Sequence, residues 1–384
     1  MSNNLVTIDM VTREALRIAH EKCQFISTTD RQYDSSFAKT GAKIGASLRV
    51  RKPNQYLRTQ GTRVMDVQEQ DEQTSTVTVA TQDHVDMRFN SAELALSLDE
   101  LSKRYIEPAV SSLVSAIEGD YLAYATKKTY NVVGTAGTAI TDLTAPGLAR
   151  ARLNQMLAPK DRNRAIQMDS VTMAGLVKGV AAYFNPSGAI SEQYREGLVA
   201  RTSMADYYEN ERVWTLTNSG DVTVTTAAAA AVTDGGTNIT LASVGAGDTT
   251  AGMTFTVAGV YACHPETKQS LGYLQPYVVI TGGATTQTVS PATILTGPRQ
   301  NVCSAASAQL ATTAYNGTAV AVTFFGAANT SYAQSLMYHK EAFQFVTADL
   351  PLMDDAHKCV RRSQDGLSLR VWQASDIRND ELLM

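Results

Sequence analysis

The chain has 384 residues, with 33 Lys and Arg against 37 Asp and Glu, for a formal net charge of -4. This length allows two or three domains, and the mild acidity gives no general attraction for nucleic acid, whose binding proteins present a basic face. Charged residues make up 18% of the chain, below the roughly 25% of a typical soluble domain. An ordinary neutral surface and a surface hidden against copies of the same chain are both consistent with that.

Residues 7–23 predict an amphipathic helix. Val11, Ala15, Ile18 and Ala19 fall on one stripe, with charged residues mostly opposite. Polar sequence follows, so the apolar stripe must dock on another part of the chain or on a neighbouring subunit.

Residues 45–90 predict a long hairpin with two arms. Leu48 and Val50 alternate with arginines on the way out, and Val77 and Val79 alternate with threonines on the way back. Such alternation is typical of strands with one covered face.

The charges of this hairpin are segregated between its arms. The outgoing side carries Arg49, Arg51, Lys52, Arg58 and Arg63, and the returning side carries Asp66, Glu69, Asp71 and Glu72. Two interpretations are open: the arms pair by charge with each other, or the hairpin docks on an oppositely charged neighbour. For the second, the predicted contact residues are Arg49, Arg51, Arg58, Arg63, Asp66, Glu69 and Asp71.

Residues 97–130 give the clearest helix pattern. Ser97 and Glu100 form a capping box. The apolar stripe comprises Leu98, Leu101, Tyr105, Ala109, Leu113, Ile117, Tyr121 and Tyr124. Pro108 predicts a kink or the start of a second segment. Such a helix is about 40–50 Å long, which suggests a spine on which other elements pack.

A mixed region follows this helix. Helices are predicted over 146–157 and 170–184, with a short strand between them at RAIQMDS and another strand at VWTLT, residues 213–217.

From about residue 218 to residue 329 the composition changes to Gly, Thr, Ala and Val with almost no charge. Turn residues about every 8–12 positions separate short alternating runs, which is typical of a small antiparallel barrel or sandwich. The predicted strands are the six runs DVTVTT, TNITLAS, MTFTVAG, YVVIT, QTVSPATIL and VAVTFF. Mixed sequence on both sides favours an insertion over a tandem domain. After it, SYAQSLMYHKEAF is predicted to be helical and then extended, and FQFVTADLPL and LSLRVWQASDI are predicted strands.

No convincing active site, cofactor motif or metal site is present in the sequence. His84 and Asp86 would share a face of a strand, so a metal pair competes with a solvated or interface patch. Cys263 and His264 would point apart on a strand, which disfavours a catalytic dyad. The four cysteines lie far apart, and neither a signal peptide nor an apolar run of about 20 residues occurs. We therefore expect a soluble, cytoplasmically made protein with reduced thiols that is not an enzyme.

Two stretches resemble the coat proteins of podoviruses, a group of tailed bacteriophages. YHKEAFQFVTADLPL and KCVRRSQDGLSLRVWQASDIRNDELL, within residues 338–383, are similar to the family's carboxy-terminal region. The second stretch, FTVAGVYACHPETKQSLGYLQPYVV at 255–279, resembles the core of the family's inserted domain. The family usually continues past R-N-D into a further strand, so the completeness of the last sheet is left open.

The resemblance implies an α+β chain with the capsid fold of tailed phages and herpesviruses, carrying an inserted antiparallel β-barrel domain. The implied parts are an N-terminal arm at 1–44, an extended β-hairpin loop at 45–92, a peripheral domain with the spine helix at 93–139, the first part of an axial domain at 140–217, the inserted domain at 218–330, and return strands at 331–384.

The same resemblance implies a major capsid protein. It would self-assemble into hexamers and pentamers of an icosahedral shell, with a scaffolding protein, a portal and packaged double-stranded DNA that is bound without sequence specificity. The shell would be assembled in the bacterial cytoplasm and become part of the virion. The alternative suggested by the Thr- and Gly-rich region is a phage adhesin-like module that binds a sugar or receptor.

Overall fold

The computed structural model describes residues 8–31, 47–61, 67, 72–79, 81–90, 102–138, 140–180, 205–218, 223–225, 233–242, 249–308, 310, 319–350, 352, 358–364, 367–376 and 381–383. The chain divides into two compact units. The first contains Met1–Lys52, Glu72–Tyr121 and Lys340–Met384, and the second contains Pro53–Asp71 and Leu122–His339.

Among the described residues, one helix is clearly longer than the others. The helices are α1 (Ile8–Lys22), α2 (Phe25–Thr28), α3 (Glu107–Lys128), α4 (Thr144–Gln155) and α5 (Ser170–Val180). A π-helical turn, Ser102–Ile106, leads directly into α3. Pro108 therefore stands at the junction between the π-helical turn and α3.

In the first unit, α1 packs on the beginning of α3. The predicted stripe of α1 is confirmed: Val11, Ala15, Ile18 and Ala19 are all buried, in one cluster with Ile106, Val110 and Val114. Of the two docking possibilities left open by the sequence, α1 therefore takes the one within its own chain.

The first unit also contains two antiparallel sheets. β1 (Ser47–Arg51) pairs with β2 (Thr74–Thr78). The second sheet has the order β16-β17-β18-β3 and comprises β3 (Arg88–Asn90), β16 (Lys358–Gln364), β17 (Leu367–Asp376) and β18 (Glu381–Leu383). The predicted strand LSLRVWQASDI is confirmed by β17.

The second unit contains a three-stranded sheet covered by α5. β4 (Arg164–Met168) lies in its centre, parallel to β5 (Asp206–Glu209) and antiparallel to β15 (Leu336–His339). Every residue of β4 is buried, as expected for a central strand. Ile166 and Met168 pack on Leu176 and Val180 of α5. A separate pair joins β6 (Thr215–Thr217) to β14 (Ser331–Ala333).

The uncharged region of the chain forms a seven-stranded antiparallel sheet with the path β7-β13-β9-β10-β11-β8, and β12 pairs with β9. Its strands are β7 (Thr223–Thr225), β8 (Gly236–Thr240), β9 (Thr254–Cys263), β10 (Ser270–Thr281), β11 (Thr286–Thr293), β12 (Val302–Cys303) and β13 (Ala321–Phe324). Six of these lie where alternation predicts strands. β7 and β8 stand at the two ends of the path, so the structure gives the predicted strands without showing a closed barrel.

Three predictions about local structure were wrong. The segment 331–343 is not helical at its start, because β14 and β15 pair there with β6 and β4. Residues 343–350 form no strand; their sheet-like contact is an isolated bridge between Asp30 and Gln344. Tyr124, predicted on the apolar stripe of the long helix, is 60% exposed.

The buried face of α3 lies one residue away from the predicted stripe. Ile106, Val110, Val114, Leu122 and Ala125 are buried, whereas Ala109, Leu113 and Ile117 are only partly so. The reason is Glu118, which is fully buried in the middle of this face. A charged residue at that position hides the true stripe from a pattern of apolar residues. The predicted capping residues Ser97 and Glu100 lie outside the described residues.

Among the described residues, no helix combines the length and the apolar character needed to cross a membrane.

Candidate functional site

The hairpin of β1 and β2 stands out because neither of its faces is well covered. Five residue pairs hold the strands in register, from Ser47 opposite Thr78 to Arg51 opposite Thr74. A further hydrogen bond, from the Lys52 amide to the Gln73 carbonyl, is 2.8 Å long. Val50 is 37% exposed, and in β2 only Val77 is partly buried. The face that alternation predicted to be covered is therefore only partly covered where its side chains are described.

The predicted contact residues of the hairpin are only partly described. Arg49 and Arg58 are exposed. Arg51 Nη1 lies 3.4 Å from Glu72 Oε2, and both side chains are more than half exposed. One pair of the hairpin thus joins its own two arms, as one of the two interpretations expects. Arg63, Asp66, Glu69 and Asp71 lie outside the described residues.

Two described apolar side chains near the hairpin tip face solvent. Tyr56 is 54% exposed and Val67 is 77% exposed. Single exposed apolar side chains are common on protein surfaces, so their exposure permits a contact with another molecule without requiring one. These two residues are candidate contacts that the charge pattern did not indicate.

The titratable pairs singled out by the sequence do not form reactive sites. His84 Nε2 lies 3.5 Å from Asp86 Oδ2, but both side chains are more than two-thirds exposed and neither residue lies in a strand. Within the described part of the chain, no group of three or more His, Cys, Asp and Glu residues is placed to hold a metal ion.

Cys263 is buried and protonated. Burial and, to a smaller extent, the neighbouring Cys303 raise the pKa of its thiol to about 12, while Lys268 opposes the shift. His264 Nδ1 accepts hydrogen bonds from the amides of Glu266 and Thr267, each 3.2 Å long. This nitrogen stabilises a turn and is not available to take a proton from the thiol.

Each unit contains a cavity. The cavity of the first unit has a volume of about 260 Å³ and an apolar lining from α1, α3 and β17. The cleft of the second unit has a volume of about 570 Å³ and lies among the loop at 131–142, α4, Trp214 and Tyr332. Neither contains a constellation of nucleophile, base and oxyanion donors among the described residues, which a catalytic site would need.

A basic surface in the second unit was missed by the sequence analysis. It lies at the end of α4, the turn after it and the start of β4. Of its five cations, Lys160 and Arg162 are exposed, Arg150 and Arg152 are partly buried, and Arg164 is buried beneath them. The sequence contains five cations within these 15 residues, but the acidic net charge of the whole chain gives no sign of such a local cluster.

Comparisons with known proteins give weak structural likenesses, of which two are described below. No protein-family model matches the sequence, and no curated protein matches it. The capsid of the cyanophage P-SCSP1u aligns over 47% of this chain and 62% of its own, at 11% identity and a TM-score of 0.32. The virus-like particle from Pyrococcus furiosus aligns over 87% and 95%, at 11% identity and a TM-score of 0.25. This chain is thus similar to a capsid and a virus-like particle, and the match spans less than two thirds of the cyanophage chain.

Proposed function

We propose that the chain is the major capsid protein of a tailed bacteriophage. In this proposal it has no catalytic role and self-assembles into hexamers and pentamers of an icosahedral shell around double-stranded DNA. Support comes from the residues at 338–383 and 255–279 that resemble podovirus coat proteins.

The observation that carries the proposal is the exposed hairpin of β1 and β2. A two-stranded hairpin is marginally stable in water on its own, and its outer edges offer unpaired backbone groups to another chain. Among the described residues its apolar alternation is only partly covered, since Val50 is 37% exposed and Val77 is partly buried. A neighbouring copy would cover this face. The charges of the two arms would then determine the register in which the hairpin and that copy pair.

The remaining elements take their places in the same proposal. Helix α3 serves as the spine of the peripheral domain, and the seven-stranded sheet serves as the inserted domain. The three-stranded sheet with α5 belongs to the axial domain. In this scheme residues 1–44 are the N-terminal arm, although helix α1 packs within its own chain.

Self-association would be the working mechanism. One sequence has to form both five- and six-membered rings, so each contact is modest and the shell gains strength from their number. A pairwise interface of about 1,500 Å² would be of standard size. Because the net charge of -4 is weakly acidic, the inner surface of the shell would not attract packaged DNA strongly. Scaffolding protein and portal are the further proposed partners, with assembly in the bacterial cytoplasm and the virion as destination.

The test is the assembly state of the purified chain. We expect megadalton particles in a sucrose gradient and closed shells in negative-stain micrographs, with scaffolding protein supplied if required. A monodisperse monomer in the presence of that partner would contradict the proposal. If such a monomer bound glycans on an array, the function would instead be that of the adhesin-like module.

A further inference from the structure

Two buried cysteines lie on neighbouring strands of the seven-stranded sheet. Cys263 is the last residue of β9 and Cys303 is the last residue of β12, and the two residues are 2% and 0% exposed. The strands are antiparallel, with Cys303 opposite Tyr261. The same register continues one step further, because the amide of Cys263 donates to the carbonyl of Asn301 over 3.0 Å. Tyr261 and Cys263 are two positions apart on one strand, so both thiols lie on the same face of the sheet.

The two thiols contact each other. Burial is the main reason why the pKa of each thiol is raised. Contact with Cys303 adds to the rise at Cys263, whereas hydrogen bonds from Cys263 and Ser270 oppose the rise of the pKa at Cys303. These opposite effects are those of a hydrogen bond in which the thiol of Cys263 donates to the sulfur of Cys303. Cys303 is therefore the thiol that ionises first.

A lysine holds a positive charge beside this pair. Lys268 Nζ donates to the carbonyls of Pro265, Pro298 and Gln300, so its side chain is fixed between two turns. Its charge opposes the raised pKa of Cys263. A cation close to a thiol favours the thiolate, which is the form that attacks disulfides. The cluster therefore contains two thiols in contact and a cation that assists the ionisation of one of them.

The short strand β12 gives access to the buried pair. It consists of Val302 and Cys303 and, among the described strands, pairs with β9 alone. Residues 305–308, which follow it, are exposed. A strand with so few hydrogen bonds opens locally at a much smaller free energy than the whole sheet, so a small oxidant reaches Cys303 without global unfolding. The same freedom lets the two sulfurs approach to the roughly 2.05 Å of a disulfide bond.

The geometry points to Cys263 and Cys303 as an oxidation site, at which a small-molecule disulfide of the glutathione type converts the two thiols into one intramolecular disulfide. The bond joins β12 to β9 across residues 264–302, the segment that contains β10 and β11. It forms when the protein leaves a reducing compartment, because thiols stay reduced in the cytoplasm and are oxidised outside it. The inference goes beyond the proposed function and does not depend on it.

The reaction is a thiol–disulfide exchange in two steps. Cys303 gives its proton to solvent, and its thiolate attacks one sulfur of oxidised glutathione, which breaks that S–S bond and releases one glutathione thiolate. Cys263 loses its proton to this thiolate and then, beside the Lys268 ammonium, attacks the Cys303 sulfur of the mixed disulfide. The second glutathione leaves as a thiolate and takes up the proton that Cys303 released. Two thiols are thus oxidised, and one oxidised glutathione is reduced to two glutathione molecules.

The test is oxidation of the purified chain with an excess of oxidised glutathione, whatever its assembly state. Peptide mass spectrometry without reductant should find two peptides joined through Cys263 and Cys303, two hydrogens lighter than the reduced peptides together. Titration of thiols in guanidinium chloride should fall from four per chain to two. The thermal midpoint should rise by at least about 5 °C, because the bond constrains the unfolded chain, and should fall again with dithiothreitol.

Single alanine variants separate this pair from the other cysteines. Cys359→Ala removes the half-buried thiol and should still form the bond, with the same rise in the thermal midpoint. Cys263→Ala and Cys303→Ala should form no internal disulfide and show no rise. Circular dichroism of the reduced variants checks that they are folded. If one of them is not, the wild type and Cys359→Ala still supply both the crosslink and the change in midpoint.

Three results would overturn the inference. Four free thiols in the wild type after overnight oxidation would show that the pair is out of reach. A crosslink between any other two cysteines would place the oxidation site elsewhere. A Cys263–Cys303 crosslink that fails to raise the thermal midpoint would show that the native sheet does not accommodate the bond. None of these measurements involves shells, so a failure of the proposed assembly leaves the inference untouched.

Discussion

The carboxylate of Glu118 accepts a hydrogen bond from the backbone amide of Gln24, with 2.8 Å between Oε1 and the amide nitrogen. The same oxygen accepts the amide of Phe25. These amides belong to the start of α2, whose N-cap residue supplies no side-chain hydrogen bond of its own. Glu118 on α3 therefore provides from another helix the acceptor that a capping side chain normally gives.

Glu118→Ala should destabilise the folded chain by roughly 3 kcal/mol, because two amides at a buried site lose their acceptor and a cavity is left. The free energy of unfolding from urea titration measures this. Glu118→Gln is the matched control: its side-chain oxygen can still accept both amides, so the expected loss is only about 1 kcal/mol. Equal losses in the two variants would show that the carboxylate charge, and not the acceptor, matters.

Gly179 of α5 allows the loop before α4 to pack against the helix backbone. A Cβ at this position would lie 1.4 Å from the carbonyl oxygen of Thr141, and backbone cannot move aside as a flexible side chain can. Gly179→Ala should therefore cost at least about 3 kcal/mol of stability, measured as a lower midpoint in thermal or urea unfolding.

Gly147 offers the control for that substitution, since it lies in α4 of the same unit with no atom within 4 Å of the added Cβ. Gly147→Ala should stabilise the chain by about 0.5–1 kcal/mol, because alanine loses less backbone entropy in a helix. If Gly179→Ala were tolerated as well as Gly147→Ala, the packing of the loop at residues 140–142 on α5 would be wrong.

Glu118 also shows which feature of the fold could not be predicted from the sequence. Helix α1 and six strands of the seven-stranded sheet were predicted because their burial follows a simple period of apolar residues. The face of α3 was misplaced by one residue, because its centre is an acid whose partners are amides about 94 positions earlier in the chain. Only the folded chain brings those amides to it.

Strands β14 and β15 show a second limit of prediction from the sequence. Their sequence, SYAQSLMYH, contains residues that suit a helix as well as a strand, and strand pairing with β6 and β4 decides between them. The hairpin strands were located correctly, yet the described side chains of the expected covered face are only partly covered. An alternating pattern of apolar residues predicts that one face of a strand is apolar, but it does not predict which molecule covers that face. For the same reason the contact residues of the hairpin remain predictions.

Asp161 links the turn after α4 to β15 through His339. Burial acts to raise the pKa of its carboxyl, but hydrogen bonds from Asn163 and His339 outweigh this and hold the pKa below its ordinary value of 3.8. A lowered carboxyl pKa contributes stability that is present above the unfolded value and is lost as the pH falls through the folded value. Asp161→Asn should therefore lower the thermal midpoint at about pH 6, with the difference from wild type shrinking below about pH 3.8. A difference that stays constant down to pH 2 would show that ionisation of this carboxyl is irrelevant.

The thiols should differ in reactivity according to burial. Burial raises the pKa of Cys263 to about 12 and also raises that of Cys303, so at about pH 8 roughly one Cys263 thiol in ten thousand is ionised. Cys359 is only half-buried. Mass spectrometry after iodoacetamide treatment should find Cys359 labelled first in the folded chain. All four cysteines should label at similar rates in guanidinium chloride, and fast labelling of Cys263 without denaturant would contradict the buried placement of β9.

The charges of the hairpin predict assembly that depends on salt. Arg63→Glu should leave a folded monomer but reduce the particle yield, because it places an acid where the proposed neighbour presents acids. Exposed charges act over about 10 Å at 0.1 M salt and about 3 Å at 1 M. The deficit of the variant should therefore be largest at low salt and narrow as salt is added, while the yield of the wild type falls. Sedimentation across a salt series measures both, with Arg63→Lys as the control that keeps the charge. Normal particle yields from Arg63→Glu at low salt would remove this arginine from the proposed contact, since a reversed charge at an interface cannot leave association unchanged.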